Sequence, residues 1–287
     1  MNINSVIPAL IYKLPHGPRR RALFTYYNRR LPQFRNPVAF NDKINWRILN
    51  DRRPILEWTC DKLAMKEYAA KVPGLRVPRT FWVGTDVREL ADVDLPGHWV
   101  LKPNHRSGCI FFGHGQPDIP SLAGMVEKWL APVEAEQLRE WAYSKSRPLL
   151  LAEELLGKPG SPPADYKFFV FEGQVAAVQV DTDRHTSHRR RLYLPDWQPL
   201  EVTYGPYPLA PLEPAPANLA EMLAIASQLG LPFDFIRADL YSIDNETCFG
   251  EVTPYATSGL DRFVPASFDA ELGARWVLPP VADAVTN

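Results

Sequence analysis

Cysteine is scarce in this chain: Cys60, Cys109 and Cys248 are the only three, and they stand far apart. That spacing excludes a disulfide framework and a zinc-ligand pattern, and it suits a reducing cytoplasm. An excess of charge of one sign is also missing. Lys+Arg is 32 against 33 Asp+Glu, so global charge calls for neither nucleic acid nor a membrane. Long apolar runs are lacking too. Val6–Tyr12 is too short to span a bilayer. It has no basic stretch before it and no cleavage signal after it, so neither a transmembrane segment nor a secretory leader is expected. No internal repeat is visible, and residues 1–58 show no βαβ alternation. Proline is plentiful, with 29 residues against 16 glycines. It clusters around 159–163, 206–216 and 279–280, and the first two clusters read as loops. A length of 287 residues allows one large domain or two modest ones.

Residues 1–58 look helical and basic. Asn41–Leu49 places Ile44, Ile48 and Leu49 on one side of a helix. The run Arg19-Arg20-Arg21, with Phe24, Tyr26 and Tyr27, admits contact with an anionic membrane or a polyanionic product; a solvated helix face is the expectation. Asp61 is placed to cap a helix over Lys62–Ala70, which Pro73-Gly74 stops. Strands are expected at 77–83, 98–103 and 149–156, with a helix over 121–142 between the last two. Asp165–Phe171 alternates into the turn Glu172-Gly173, and Gln174–Val180 returns antiparallel. Leu219–Leu229 is an amphipathic helix ended by Gly230. The fold class is α+β with antiparallel sheets.

The richest stretch comes near the end. Phe235–Tyr241 and Phe249–Thr253 read as two strands joined by a polar turn. Arg237 and Asp239 are two apart and share one face of the first strand; Glu251 and Thr253 share one face of the second. A hairpin that gathers these groups offers hard oxygens beside a cation, as Mg²⁺ with a phosphate chain requires. A hairpin with solvated charges would carry the same letters. Lys102 ends an apolar strand and meets a loop containing Ser107 and Gly108. It reads either as a phosphate contact or as a surface lysine. Lys62, a cation at a helix start, is slightly unfavourable against the helix dipole unless it reaches an anion. Of Glu153 and Glu154, one faces a pocket and the other solvent, because successive strand residues alternate. Lys167 shares a strand face with Asp165. Residues 183–191 hold four arginines and two histidines, a supply of bidentate anion contacts or a solvated loop. Arg184 is expected to reach an acidic substrate or the transferring phosphate, with 189–191 as a solvated rim. His105 and His185 are candidate bases, and Asp181-Thr182-Asp183 has the outline of a nucleotide-sugar metal motif.

Taken in order, several pieces resemble the TupA-like family of the ATP-grasp superfamily. They are Phe40–Trp46, Asp61-Lys62, Val100–His105 with Ser107-Gly108, Asp165–Phe169, Arg237–Tyr241 and Gly250–Thr253. The resemblance runs from residue 40 to 273. It implies an ATP-grasp fold, two α+β lobes gripping ATP between antiparallel sheets. Its expected divisions are a helical segment 1–58, a first lobe 59–150 and a second lobe 151–287 that carries the metal and catalytic residues. It implies that Lys62 and Lys102 contact ATP phosphates under a lid at 104–109. Glu153, Glu154 and Leu156 would hold adenine and ribose, Asp239 and Glu251 would ligate Mg²⁺, and Arg237 and Lys167 would serve the chemistry. Thr253 stands where the superfamily often has Asn, and the usual Rossmann-like preceding domain is absent.

The activity so implied is an ATP-dependent carboxylate–amine ligase that works through an acyl phosphate on small-molecule substrates. Cell-surface polysaccharide or natural-product biosynthesis is the implied setting. A kinase on the same scaffold, a non-catalytic nucleotide-binding protein and a glycosyltransferase are the rival readings.

Overall fold

A computed structural model describes residues 10–131, 138–160, 163–182 and 187–280. Among the described elements, helices α1 (His16–Asn28) and α2 (Phe40–Asn50) come first, with a 3₁₀ turn at Pro54–Cys60 after them. Helix α3 (Lys62–Ala69) follows, then β1 (Thr80–Gly84), β2 (His98–Pro103), β3 (Phe111–His114), α4 (Ile119–Leu130) and β4 (Leu150–Glu154). The remainder is mostly strand: β5 (Asp165–Phe171), β6 (Gln174–Thr182), β7 (Arg189–Tyr193), and the short β8 (Pro199–Leu200) and β9 (Thr203–Tyr204). Helix α5 (Leu219–Gly230), β10 (Ile236–Ile243), β11 (Glu246–Thr253), β12 (Phe263–Val264) and α6 (Ser267–Ala274) complete it. The α+β class with antiparallel sheets is therefore the observed one.

The smaller sheet has the order β1–β4–β2–β3, all antiparallel. Its period-two pattern sorts β2 cleanly. Trp99 and Leu101 enter a core with Val87, Leu90, Leu122 and Val126 of the covering helices. His98, Val100 and Lys102 line a cleft on the opposite face. Strand β4 lies inside this sheet, between β1 and β2, so the expected boundary at 150/151 falls within that strand. The expected helix over 121–142 also needs correcting. It ends at Leu130, and Trp141–Lys145 forms only a 3₁₀ turn. Pro132 explains the stop: it pushes the residue before it out of the helical region, and Ala131 sits at ψ 150°.

The larger sheet has the order β11–β10–β5–β6–β7–β8. Phe168, Val170, Val178, Val180 and Leu240 pack under α5 with Met222, Ile225, Ala226 and Leu229. Gly230 ends that helix without a left-handed cap. Its small size matters instead, because a Cβ there would lie 2.3 Å from Val170 Cγ1. On the other face Phe169, Phe171, Ala177, Leu192 and Phe235 are covered by Phe40, Ile44 and Ile48 of α2 and by Phe268, Leu272 and Trp276. Phe40 sits at the centre of these rings. Asp165, Lys167, Phe169 and Phe171 occupy every second position of β5 and so share one side of it. One face of one strand is thus aromatic where α2 covers it and charged where the cleft begins.

The arginines are not where the sequence reading puts them. Arg20 is wholly buried and Arg19 nearly so, while Phe24 is core. Arg19, Arg20 and Phe24 are therefore not part of a solvated face, although Arg21 and Tyr27 are exposed. Arg190 and Arg191 belong to β7 and are buried, not a solvated rim. Arg190 pairs with Asp181 at 2.7 Å and Asp261 at 3.0 Å, and Arg191 donates to the Ala210 carbonyl. Asp181 is committed to those contacts, which leaves the sugar-nucleotide outline without an available carboxylate there. Residues 183–186 lie outside the described residues, and with them Arg184 and His185.

Candidate functional site

A cleft of about 730 Å³ opens between the two sheets. One wall is the free face of the smaller sheet, with His98, Val100, Lys102, Phe112, His114 and Glu153, continued by the loop through Arg106–Ile110. The opposite wall is the charged part of the larger sheet: Asp165, Lys167, Asp239, Tyr241, Phe249 and Glu251. Helix α3 closes one end with Lys62 and Lys66, and Leu155 and Leu156 form the back.

The carboxylate hairpin depends on an irregularity. Its turn, Asp244-Asn245, has φ of 51° and 65°, which is the two-residue turn suited to twisted strands. Counting back from Ile243↔Glu246, regular pairing would set Gly250 opposite Asp239. That would turn Glu251 to the far face with Ala238. The register instead shifts between Asp239 and Leu240. Leu240 pairs with Phe249, Asp239 with Glu251 and Arg237 with Thr253. Gly250 is the extra residue of this bulge. A Cβ on it would lie 2.8 Å from the Asp239 carbonyl and 3.0 Å from the Tyr241 ring. The bulge brings Arg237, Asp239, Glu251 and Thr253 onto one face.

Asp239 is gripped from two sides. Arg237 Nε and Nη2 each donate to it at 2.7 Å, and Lys167 Nζ donates at 2.7 Å. Lys167 also donates to Asp165 at 2.5 Å. Burial pushes the Asp239 carboxyl up, but Arg237 and Lys167 outweigh it and leave it below the usual range. Burial pulls the Arg237 guanidinium down, but Asp239 outweighs it and keeps the arginine charged. Nη1 of Arg237 donates to none of the described residues. Glu251 is less committed: it lies 3.6 Å from Arg237, and its side chain is 43% exposed. Thr253 lies outside the cleft lining, and its hydroxyl accepts from the Tyr255 N–H at 3.4 Å.

Across the cleft stand the lysines. Asp61 caps α3, accepting the Ala64 N–H at 3.0 Å and holding Arg147 at 2.8 Å. These contacts overcome burial and draw its carboxyl down to about 2. Lys62 starts the helix and donates to the Arg106 carbonyl in the loop. Burial and the nearby charge of Lys102 lower its ammonium to about 8. Glu153 pairs with Lys102 and, at 2.9 Å, with Lys66. These lysines outweigh the upward push of burial on its carboxyl. Glu154 points elsewhere, to Arg76 and the Arg79 N–H.

Ser107, Gly108 and Leu156 line the cleft, with Lys62, Lys102, Glu153, Glu154, Lys167, Asp239 and Glu251; Arg237 is not among the lining residues. Glu153 sits with the lysines, so of the two glutamates it is the one turned toward the cationic end. His105 does not line the cleft. It is 1% exposed, and burial with Arg106 and Lys62 nearby lowers its pKa. Lys66 was missed. It stands four residues after Lys62, one helical turn along the same face, and that spacing was a readable signal. The aromatic lining, Phe112, Tyr241 and Phe249, was missed because it comes from three separate strands.

The TupA-like ATPgrasp family model matches residues 42–277. No curated protein matches. Among solved structures, D-alanine–D-alanine ligase from Helicobacter pylori is similar at 15% identity and a TM-score of 0.42, over 78% of this chain and 59% of that one. The ATP-grasp ligase PsnB, complexed with minimal precursor, Mg and ADP, gives 15%, a TM-score of 0.39, and 77% and 60% coverage. N5-carboxyaminoimidazole ribonucleotide synthetase from Thermus thermophilus gives 17%, 0.41, and 71% and 48%. The chain thus spans about half to three-fifths of these proteins' length.

Proposed function

The chain belongs to the TupA-like ATP-grasp family, and from that premise we propose that it is an ADP-forming ligase joining a carboxylate to an amine. One observation carries the reading: Asp239 and Glu251, opposed on one face, look across a single cleft at Lys62 and Lys102. Among the described residues no group of three or more His, Cys, Asp or Glu side chains is placed to hold a metal. Two carboxylates still fit Mg²⁺, which is commonly held by one or two protein carboxylates with substrate phosphates and water. Asp239 and Glu251 would hold it, with Thr253 beside them, and the ion would neutralise phosphate charge. Lys62 and Lys102 would take phosphate oxygens beneath the Ser107-Gly108 loop. Val100, Phe112, Leu155 and Leu156 offer apolar surface for a base, with Glu154 at that edge. The lobes would be 59–154 and 155–287, preceded by the helical segment 1–58.

In this reading the acid's oxygen attacks the terminal phosphorus and ADP leaves. The amine then attacks the acyl carbon and phosphate leaves. Arg237, held by Asp239 with Nη1 left over, would face the developing oxyanion, and Lys167 would fix Asp239. Arg184 would serve the acid substrate. We place the enzyme in the cytoplasm, where ATP and free thiols coexist, acting on an acid and an amine for surface-polysaccharide or natural-product synthesis. Among the described residues no helix is long and apolar enough to cross a membrane. The test is an ADP-release screen over uronic and amino acids, each with and without amines. ADP release that needs both partners supports the ligase. Release that needs only a hydroxyl compound would replace it with the kinase.

A further inference from the structure

Beyond Thr253 the chain makes an unusual turn. Thr257, Ser258 and Gly259 are all left-handed, with φ of 45°, 57° and 61°. Two of the three are not glycine, and a β-branched threonine in this region is a strained residue. Such a run persists only where its surroundings over-determine it, and here helices α1 and α2 do so. Arg20 Nη2 donates to the Ser258 carbonyl at 2.5 Å and Nη1 to the Ser258 hydroxyl at 2.9 Å. Asn45 and Asn28 donate to the Gly259 carbonyl at 3.1 and 3.2 Å, Asn28 to that of Leu260 at 3.4 Å, and Asn41 to that of Asp261 at 2.7 Å. Carbonyls of four consecutive residues are therefore held by side chains more than 200 positions away. Helix α2 also presses on the turn: a Cβ at Gly259 would lie 2.6 Å from Asn45 Nδ2. Arg20 is wholly buried; its hydrogen-bond acceptors among the described residues are neutral, Asn45 and Ser258, and the charge of Glu140 offsets only part of the cost of burial. A buried cation is costly unless fully hydrogen-bonded, so the hold on this turn is a specialised one.

The turn is linked through Tyr204 to the neighbourhood of Arg237. The Thr257 hydroxyl shares a 2.7 Å hydrogen bond with Tyr204. Tyr204, whose buried phenol stays neutral, and the carboxyl of Asp261 both lie within electrostatic range of Arg237. With the base toward Val100 and Leu156 and the phosphates at Lys62 and Lys102, an acceptor has to reach the terminal phosphate from the Arg237 side.

We propose that Arg20 is a positioning residue: acting through the Thr257–Asp261 turn, it shapes the wall beside Arg237 along which a carboxylate acceptor approaches. This rests on the ligase reading above. The acceptor wall is then held in place by the N-terminal helices. The test compares wild type with Arg20→Met, Arg20→Lys and the milder Asn28→Ala. Three quantities are measured: amide exchange of residues 254–262, the half-saturating Mg-ATP concentration from thermal shift, and acid-dependent ADP release. The acid probe is an equimolar mixture of D-glucuronate, D-galacturonate, L-glutamate and L-alanine, with ammonia as amine. Expected for Arg20→Met are exchange at least tenfold faster in 254–262, unchanged Mg-ATP saturation and ADP release down at least tenfold. Arg20→Lys should recover part of the rate, and Asn28→Ala should shift all readouts the same way by less. Unchanged exchange, or faster exchange with full acid-dependent turnover, overturns the assignment. If Arg20→Met does not fold, the same outcomes are read from Asn28→Ala. Wild type that binds Mg-ATP but releases no acid-dependent ADP overturns the ligase reading first, and the acceptor role with it.

Discussion

Asp239 and Glu251 face each other, yet substituting them asks different questions. Asp239 is 2% exposed between Arg237 and Lys167. Asp239→Asn would leave two buried cations short of a counter-charge, at a cost of about 3–5 kcal/mol in stability. Glu251 is half-exposed and 3.6 Å from its nearest cation. Glu251→Gln is expected to leave the melting temperature within a few degrees of wild type and to lower ADP release by orders of magnitude. A stable, fully active variant would remove Glu251 from the site. Lys62 offers a second residue-scale test. Its ammonium at about 8 lies below the usual 10.5, so the folded protein binds fewer protons there than the unfolded chain between those values. The cost of burying that cation is full below pH 8 and is relieved as pH rises toward 10.5. Phosphate wants the cation, however. Mg-ATP affinity should fall as pH rises from about 8 to 10, and binding at pH 8.5 should take up protons. Calorimetry in two buffers of different ionisation enthalpy measures that uptake. Lys62→Met should abolish it while raising the melting temperature of the free protein at pH 7.

At the scale of the element, the hairpin's function hangs on Gly250. Gly250→Ala brings a methyl within 2.8 Å of the Asp239 carbonyl, so the bulge must shift. The expected result is a loss of roughly 1–3 kcal/mol from overpacking and a larger proportional loss of turnover, as Glu251 moves off its register. Denaturant melts and ADP release on the same sample check both; unaltered turnover would mean that the bulge does not set the site. The same bulge marks how far the sequence can be read. The strands, the turn and each same-face pair followed from alternation and turn chemistry. That the two faces coincide did not, since strict alternation from Asp244-Asn245 would have turned Glu251 away from Asp239. Lys62, Lys102, Ser107 and Gly108 were legible because a capped helix and a strand-to-glycine loop leave local marks. The fates of Arg20, Arg190 and Arg191 were not. A charged residue is buried when a distant partner receives it, and those partners lie 9 to 238 positions away. The overlong helix, by contrast, was an avoidable error, because Pro132 stands in the sequence.

For the whole molecule, acid should act through carboxylates in both lobes. Asp61, held by Arg147 in the first, and Asp181, held by Arg190 in the second, both lie at about 2. Their contribution is complete above the ordinary aspartate value near 3.8 and is lost as pH falls through 2. Each amounts to roughly 2 kcal/mol at neutral pH by the linkage between pKa and stability. The melting temperature is expected to drop steeply between pH 4 and 2, and Asp61→Asn should flatten that drop while lowering the midpoint at pH 7. A curve as steep in the variant as in wild type would rule Asp61 out. The hold of α1 and α2 on the turn after β11 has a temporal side. The bond from Arg20 to Ser258 joins residues 238 positions apart. A ribosome adding about 5–20 residues per second leaves the first helices without their seat for on the order of 10–50 s. During that wait a guanidinium destined for the interior stands in water. A nascent chain stopped before Ser258 should therefore keep α1 open to protease.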